Sequence, residues 1–423
     1  MKNKFFPYIL ISLAFFILYQ WGSFQKIPFG DCVGQVADTE KGIFVLKSYS
    51  NTHFLYINSL ILLRKIFPFF DSITLCRYFV IGSAIVALNI LYYTILLLIK
   101  QRFSALAGTF CMGLGFSFWR NTEIVEVYTF NLIFIALYVL FVVKAFIIHS
   151  KYAAYAGFVL GISLWSHIQN ILLIPSYGFL LWILYPKNYR KILTLTGIVA
   201  IFFLSLYIQP LISNTPIIKV LSSDQSPWVE DTFKKTLMDY LKDFFKSIAY
   251  LIYNFWYFIF PAILGIKYLY SKNPDLFWFL LVFSAPVYGF ATVYAVSDNY
   301  VFFLGFYVVF AILIGTGVFY LSNYRKLNKF WVIFGIALIP FLYSASKYAV
   351  SCTQKGQTFA EKKAYKGGLN YYFIPWMNQN VGIIEFTMEG RKSSDLVYWM
   401  TESAEEFVEL RKKKNPNENV NEL

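Results

Sequence analysis

Three charged side chains lie within one short stretch, residues 116–128, which is otherwise largely apolar. They are Arg120, Glu123 and Glu126. Charges at the edge of a membrane span are costly and usually mark a functional site. An arginine can hold a phosphate through charge-assisted hydrogen bonds, and a carboxylate can accept one from a sugar hydroxyl. A plainer interpretation pairs Arg120 with Glu123 along one helix, whose N-terminus also favours acidic residues.

A further carboxylate, Asp31, follows Pro28-Phe29-Gly30 in the loop after the first apolar stretch. At a water–membrane boundary it could act as a general base that removes a proton from an attacking hydroxyl. Alternatively it caps a helix or occupies a turn. Asp38 and Glu40 are interpreted as solvated loop charges.

Two histidines and one more aspartate complete the candidate set. His167 lies at the predicted outer end of a helix, and His53 lies in the first outer loop. Each is either a packing residue or a hydrogen-bonding partner of a phosphate or sugar. Asp298 lies at the outer edge of a helix hairpin, where it either caps a helix or contributes to the site.

Other common kinds of site are absent from the sequence. It has no zinc-ligand spacing, no glycine loop for phosphates and no nucleophile elbow. We therefore predict no bound cofactor and no metal site, although a divalent ion beside the paired acids remains compatible with the pattern. The predicted inner loops are short and basic, which argues against a soluble nucleotide donor.

The composition indicates a helical membrane protein of many spans. The 423 residues are 58% hydrophobic, 21% aromatic and 14% charged. Apolar stretches long enough to cross a bilayer core of ~30 Å predict about eleven spans. These are residues 5–21, 72–99, 104–119, 124–148, 152–168, 169–186, 192–212, 247–270, 275–296, 299–321 and 330–350.

Charge predicts how these spans are oriented. With the N-terminus inside, the inner segments carry fourteen basic residues against one acid, Asp275. The outer segments up to residue 350 are nearly balanced. This positive-inside pattern predicts a bacterial inner-membrane protein with its N-terminus cytoplasmic and its C-terminus outside. The net charge of +14 then reflects topology, and no nucleic-acid partner is expected.

Three outer segments are longer than simple connections. The first, 22–71, contains a short apolar stretch, 54–67, that we expect to lie in the membrane interface. The second has apolar residues at helical spacing over about 228–246, which predicts an amphipathic surface helix. The third is a polar tail, 351–423, long enough only for a small lobe. The predicted domains are thus a transmembrane domain, 1–350, and this tail.

Several of these stretches together resemble a known family. They are Gly30-Asp31, residues 117–128, residues 166–175, and Asp298 ahead of Gly305-Phe306-Tyr307 and Ile314-Gly315. Over roughly residues 5–350 they are similar to the bacterial protein O-mannosyltransferase-like membrane proteins of the GT-C superfamily. The resemblance implies a multi-helix GT-C fold, a polyprenyl-phosphate-linked sugar donor, and Asp31 as catalytic base. The chain departs from the family at Gln35, where a glutamate is common, and around His53, where the family has a His-Pro-Pro-Gly-type stretch.

The sequence therefore predicts a membrane glycosyltransferase that moves a sugar, mannose by the resemblance, to a hydroxyl of a protein or glycan acceptor on the outer face. Arg120, Glu123, Glu126, His167, His53 and Asp298 are the predicted ligands of donor and sugar. A transporter or flippase of a lipid-linked sugar is the alternative, since it would need similar cations. A non-catalytic membrane scaffold is the second alternative.

Overall fold

The computed structural model describes residues 4–47, 52–221, 228–296 and 298–419. Within these ranges the regular structure is helical. The α-helices are α1 Phe6–Gly22, α2 Cys32–Lys41, α3 Phe54–Ile66, α4 Ser72–Ile99, α5 Arg102–Leu114, α6 Phe116–Thr122, α7 Tyr128–Ile147, α8 Tyr152–Ser166, α9 Ile174–Leu184, α10 Tyr189–Ser205, α11 Ile208–Ile212, α12 Trp228–Phe233, α13 Leu237–Phe255, α14 Ile259–Lys272, α15 Pro274–Val293, α16 Leu304–Tyr324, α17 Lys329–Ser351, α18 Gln354–Lys362, α19 Gly368–Phe373, α20 Ile383–Met388 and α21 Tyr398–Lys414.

Many of these helices are suited to a bilayer. Among the described residues, six segments are long and apolar enough to cross one: Ser72–Ile99, Tyr128–Ile147, Leu237–Lys272, Pro274–Val293, Asn299–Tyr324 and Lys329–Ser351. Shorter apolar helices are Phe6–Gly22, Tyr152–Ser166 and Ile168–Leu184. Each of the eleven predicted spans corresponds to a helical segment, so the predicted all-α, multi-pass architecture is confirmed.

Some boundaries differ from the prediction for local reasons. The predicted span 104–119 is divided at Gly115, whose extended backbone separates α5 from α6. The side chain of Asn254 accepts a hydrogen bond of 2.8 Å from the Ser117 N–H and so satisfies the start of α6. The predicted surface helix 228–246 corresponds to α12 and the first turns of α13. A Thr236–Asp239 capping box begins α13, which then continues into the membrane.

The α16 segment occupies the centre of the bundle, since the apolar part of Asn299–Tyr324 is 94% buried. Small residues allow α14 to approach it closely. A Cβ at Gly317 would lie 1.7 Å from the carbonyl oxygen of Pro261, and one at Gly265 would lie 2.0 Å from that of Leu313. Close contact through small residues is a common way to pack membrane helices.

We therefore expect Gly317→Ala to destabilise the bundle, because the added methyl overlaps backbone that cannot move aside. Overpacking of this kind typically costs about 1–3 kcal/mol. Gly289→Ala is the matched control, since a Cβ there meets nothing within 4 Å. Thermal unfolding of the two variants in the same detergent checks this. Equal melting temperatures would show that the α14–α16 contact is looser than described.

The tail folds back onto the first outer loop. The Met377 N–H donates to the Gly22 carbonyl at 2.7 Å, and the Ile383 N–H donates to the Ile27 carbonyl at 2.9 Å. Helix α21 packs on α2 and α20, and a second hydrophobic core joins these helices to α3 and the start of α4. The tail and the first outer loop therefore lie on the same face of the membrane, together with α3, the predicted interfacial helix.

Candidate functional site

Asp31 is presented by a tight turn at the end of the first loop. Gly30 has φ +120°, a conformation that favours glycine. Asp31 directly precedes α2, yet its side chain makes no capping hydrogen bond to that helix. Asp31 therefore occupies the turn that the sequence allowed, but its side chain does not cap α2. The residue remains exposed to solvent although it is surrounded by protein.

Glu126 lies next to Asp31. It follows α6 in the short loop before α7, and its Oε1 accepts a hydrogen bond of 3.3 Å from the Asp31 backbone N–H. Its Oε2 accepts one of 3.3 Å from the Gln35 amide. Gln35, the departure from the family pattern, therefore serves to hold Glu126. The first loop and the α6–α7 loop are joined by these two bonds.

Asp298 completes a group of three carboxylates. Burial, followed by the negative charge of Asp298, raises the pKa of Asp31 to about 6. Burial, followed by the charges of Asp31 and Asp298, raises the pKa of Glu126. Burial also raises the pKa of Asp298, although that residue, like Asp31, is accessible to solvent. Three acids that act on one another in surroundings shared by protein and solvent favour uptake of a proton near neutral pH.

Residues from distant parts of the chain lower the pKa values of two of these carboxylates and so partly oppose the effect of burial. A hydrogen bond from the Trp399 side chain, on α21, lowers the pKa of Asp31. The positive charges of Lys366 in the tail and Lys246 on α13 lower the pKa of Asp298. The carboxylates are thus flanked by one cation from the tail and one from a membrane helix.

Arg120 is 1% exposed and lies beneath the tail. Its guanidinium is 4.4 Å from the centre of the Tyr371 ring, and its Nη1 donates to the Ile374 carbonyl at 3.3 Å. Its Nη2 is buried and has no hydrogen-bond partner among the described residues. Within the same residues Arg120 forms no ion pair, so the predicted pairing with Glu123 is wrong.

Glu123 lies apart from the three carboxylates. It is fully buried, and its Oε1 accepts a hydrogen bond of 2.8 Å from the Trp119 indole. A Cβ on Gly22 would lie 2.6 Å from the same oxygen, so Glu123 packs against the end of α1. Burial raises the pKa of Glu123 well above its usual value. The geometry fits a neutral packing residue rather than a sugar ligand.

The two candidate histidines stack on each other. The ring centres of His53 and His167 are 4.8 Å apart, and the Tyr128 ring is 5.6 Å from that of His167. The His167 Nδ1 accepts a hydrogen bond of 3.2 Å from the Gln169 N–H. Burial lowers the pKa of His53 to about 4. Tyr128 interacts electrostatically with the three carboxylates. Because its ring also lies beside that of His167, the histidine pair borders the same site.

Four residues that border this site were not predicted from the sequence: Lys246, Lys366, Tyr371 and Trp399. Lys246 carried one available signal, because it is a cation that directly follows Phe244-Phe245 where the amphipathic stretch meets the next apolar span. The other three lie in the polar tail, where no periodicity points to the membrane domain. In the part of the chain that is described, no group of three or more His, Cys, Asp or Glu side chains is arranged to hold a metal ion.

This chain is similar to known proteins in its structure but not in its sequence. No family model matches the sequence, and no curated protein matches it. Two crystal structures of ArnT from Cupriavidus metallidurans, one bound to undecaprenyl phosphate and one in the apo state, are similar with a TM-score of 0.55 and 10% identity. Each alignment covers 96% of this chain and 75% of ArnT. The apo oligosaccharyltransferase of Archaeoglobus fulgidus has a TM-score of 0.49 and 13% identity, over 85% of this chain and 60% of that chain.

At this level of identity, the likeness to ArnT shows the fold. It extends over almost the whole chain, tail included. The mannosyltransferase part of the sequence resemblance stays a prediction. The described residues form a multi-pass helical membrane protein whose fold is similar to that of ArnT.

Proposed function

We propose that this protein is a membrane glycosyltransferase that moves a sugar from a polyprenyl-phosphate donor to an acceptor hydroxyl. The observation that carries the proposal is Asp31. It is an uncapped carboxylate that faces solvent inside a protein-lined cleft, beside Glu126 and Asp298. The GT-C-type fold and the undecaprenyl phosphate bound to ArnT support a lipid-linked donor.

In the proposed reaction Asp31 accepts the proton of the acceptor hydroxyl as its oxygen attacks the anomeric carbon. The bond between that carbon and the phosphate oxygen breaks, and the polyprenyl phosphate leaves. Glu126 fixes Asp31 through the backbone hydrogen bond. The histidine pair and Tyr128 border the space where the sugar would lie and can contact its hydroxyls. No bound cofactor is required by this chemistry.

The leaving phosphate needs fixed positive charge. Lys246 is exposed on α13, and its ammonium lies 5.3 Å from the centre of the Tyr250 ring. Its neighbours Leu241, Phe244 and Phe245 are exposed apolar side chains. We assign the donor phosphate to Lys246, because a lipid in the bilayer can reach it. Arg120, predicted for this role, is covered by the tail, so we do not assign the donor phosphate to it. His167 would donate to the phosphate or to the sugar.

Purification in mild detergent followed by mass spectrometry of the bound lipid tests the donor assignment. We expect a polyprenyl phosphate or its glycosylated form to accompany the wild-type protein and to be depleted in Lys246→Met. Recovery of phospholipids alone, in the same amounts from both proteins, would contradict the assignment.

The donor side is proposed to be the outer face of a bacterial inner membrane. The tail and first outer loop share one face, and the positive-inside pattern puts that face outside. We expect reporter fusions after Lys100 and Lys191 to report the cytoplasm, and a fusion after Cys352 to report the outside. A cytoplasmic signal after Cys352 would invert the proposed sidedness.

The pH dependence of transfer should identify the base. Because the pKa of Asp31 is raised to about 6, transfer should fall as the pH decreases through about 6, where Asp31 becomes protonated. Asp298→Asn removes a negative charge that raises this pKa, so the acidic limb should move to lower pH. The logarithm of kcat/KM against pH for both proteins measures this shift. An unchanged or upward-shifted limb would separate Asp298 from Asp31.

A further inference from the structure

A polar cavity lies between the end of α17 and the tail. Its volume is about 130 Å³, which is room for roughly four waters at ~30 Å³ each. The residues that line it include Lys347, Lys366, Asn370, Tyr371, Trp376 and Gln379. A more open cavity of about 550 Å³ shares Lys347 and Asn370 with it. The site is therefore open to the water side of the tail.

The charged side chains that line the cavity are all positive. Two lysines line it, and no carboxylate of the described residues does so. Among the described residues, Lys347 has one polar contact, a hydrogen bond of 3.1 Å that its ammonium donates to the Asn370 side chain. Lys366 lies 3.5 Å from Asp395, but that carboxylate is bound more closely by Lys363, at 2.5 and 2.7 Å. Positive charge therefore remains available at the cavity wall.

A third cation lies directly behind this wall. Arg120 contacts Tyr371, Ile374 and Met377, all of which line the cavity. Arg120 is 1% exposed, and its Nη2 has no partner among the described residues. A buried guanidinium with an unused donor is costly unless an anion offsets it. The positive charge of Arg120 therefore adds to that of Lys347 and Lys366 at the cavity wall.

The remaining lining suits a carbohydrate. Trp376 offers a partly exposed ring against which a sugar could pack, while Asn370 and Gln379 offer amides that can donate to and accept from hydroxyls. The Tyr371 ring is already covered by Arg120 and Lys366 and holds these two cations at the wall. The Asn380 amide is already occupied by the backbone of Gln25 and Lys26, so it is structural. Lys366 connects the cavity to the carboxylate group, because its charge acts on Asp298.

We propose that this cavity is a subsite for a sugar that carries an anionic group, a carboxylate or a phosphate, and that this sugar is part of the acceptor. The identification as an acceptor rests on the proposed transferase function; the anionic-sugar site does not. Lys347 and Lys366 would bind the anion, Arg120 would support it from behind, and the indole ring and the amides would bind the sugar.

Ligand-observed NMR with the full-length protein in nanodiscs tests the site without requiring catalysis. The probes are glucuronic acid, glucose 6-phosphate, glucose and inorganic phosphate. We expect at least one of the two anionic sugars to bind more tightly than both glucose and inorganic phosphate. Lys347→Met and Lys366→Met should each weaken that binding about tenfold or more. Lys392→Met, an exposed tail lysine outside the cavity, should not, and neither should Asp31→Asn.

Lys347→Met is the cleaner variant, because Lys366 also supports the tail through Asp395 and the aromatic rings. Equal binding of glucose and the anionic sugars, or undiminished binding in Lys347→Met, would overturn the subsite while leaving the transferase proposal intact. Displacement of the anionic sugars by vesicles that contain polyprenyl phosphate would overturn the acceptor assignment, since the cavity would then hold the donor headgroup. Anionic-sugar binding in a protein that transfers no sugar would contradict the proposed function alone.

Discussion

Asp31→Asn is expected to abolish sugar transfer while leaving folding and lipid binding almost unchanged. The amide keeps the shape of the side chain but cannot accept the acceptor's proton. Loss of a general base typically lowers the rate by ~10²–10⁴-fold. A purely structural role is a weak alternative, because the side chain makes no cap and is exposed to the cleft. The assay follows transfer from a polyprenyl-phosphate sugar in proteoliposomes, with the melting temperature measured in parallel.

Asp38→Asn is the matched control for this experiment. Asp38 lies on the same helix, and its carboxylate is 3.1 Å from Lys41 on a partly exposed surface. Surface ion pairs of this kind contribute about 0–1 kcal/mol, so activity and melting temperature should both stay near wild type. Near-wild-type turnover in Asp31→Asn would remove the proposed base and leave Glu126 and Asp298 as the carboxylates to test.

Lys246→Met is expected to lower kcat/KM for the lipid donor by ~10²–10³-fold, the usual loss when one fixed group that stabilises developing charge is removed. Methionine keeps the length and apolar character of the side chain, so the packing of α13 should be preserved. The fall in kcat should accompany weaker donor binding, because the phosphate gains negative charge as it leaves.

Lys242→Met is the matched control, since Lys242 lies one turn earlier on α13. Its side chain is 69% exposed and pairs with Asp239 at 3.1 Å, away from the carboxylate group. It should retain near-wild-type kinetics. If the two lysine variants lose activity equally, the effect belongs to a general attraction between α13 and anionic lipids rather than to a phosphate site at Lys246.

The sequence predicted the membrane segments well because hydropathy reports local burial in a bilayer. The eleven predicted spans and the stretch 54–67, predicted to lie in the interface, all correspond to helices. The breaks at Gly115 and at Trp256, which has φ 48°, were missed. They depend on contacts such as that between Asn254 and Ser117, which are 137 residues apart.

The candidate site was predicted only in part. Asp31 and Glu126 were both named, but their contact spans 95 residues and depends on how the helices are ordered around the bundle. Spacing alone suggested a pair between Arg120 and Glu123, whereas burial assigns Arg120 to the tail and Glu123 to the end of α1. The tail residues Lys366 and Trp399 could not be predicted, because a polar segment has no pattern that reveals its docking partner.

Transfer of a sugar from a lipid-linked donor is tested most directly by measuring both products of the reaction, the free lipid phosphate and the glycosylated acceptor, in proteoliposomes. Purified protein is reconstituted with a labelled polyprenyl-phosphate sugar and a membrane glycan extract, and the lipid and the label are both quantified over time. We expect free polyprenyl phosphate to appear in step with label on the acceptor, and neither to appear with Asp31→Asn. Movement of the intact lipid-linked sugar between leaflets, with no release of polyprenyl phosphate and no labelled acceptor, would contradict it and identify a transporter instead.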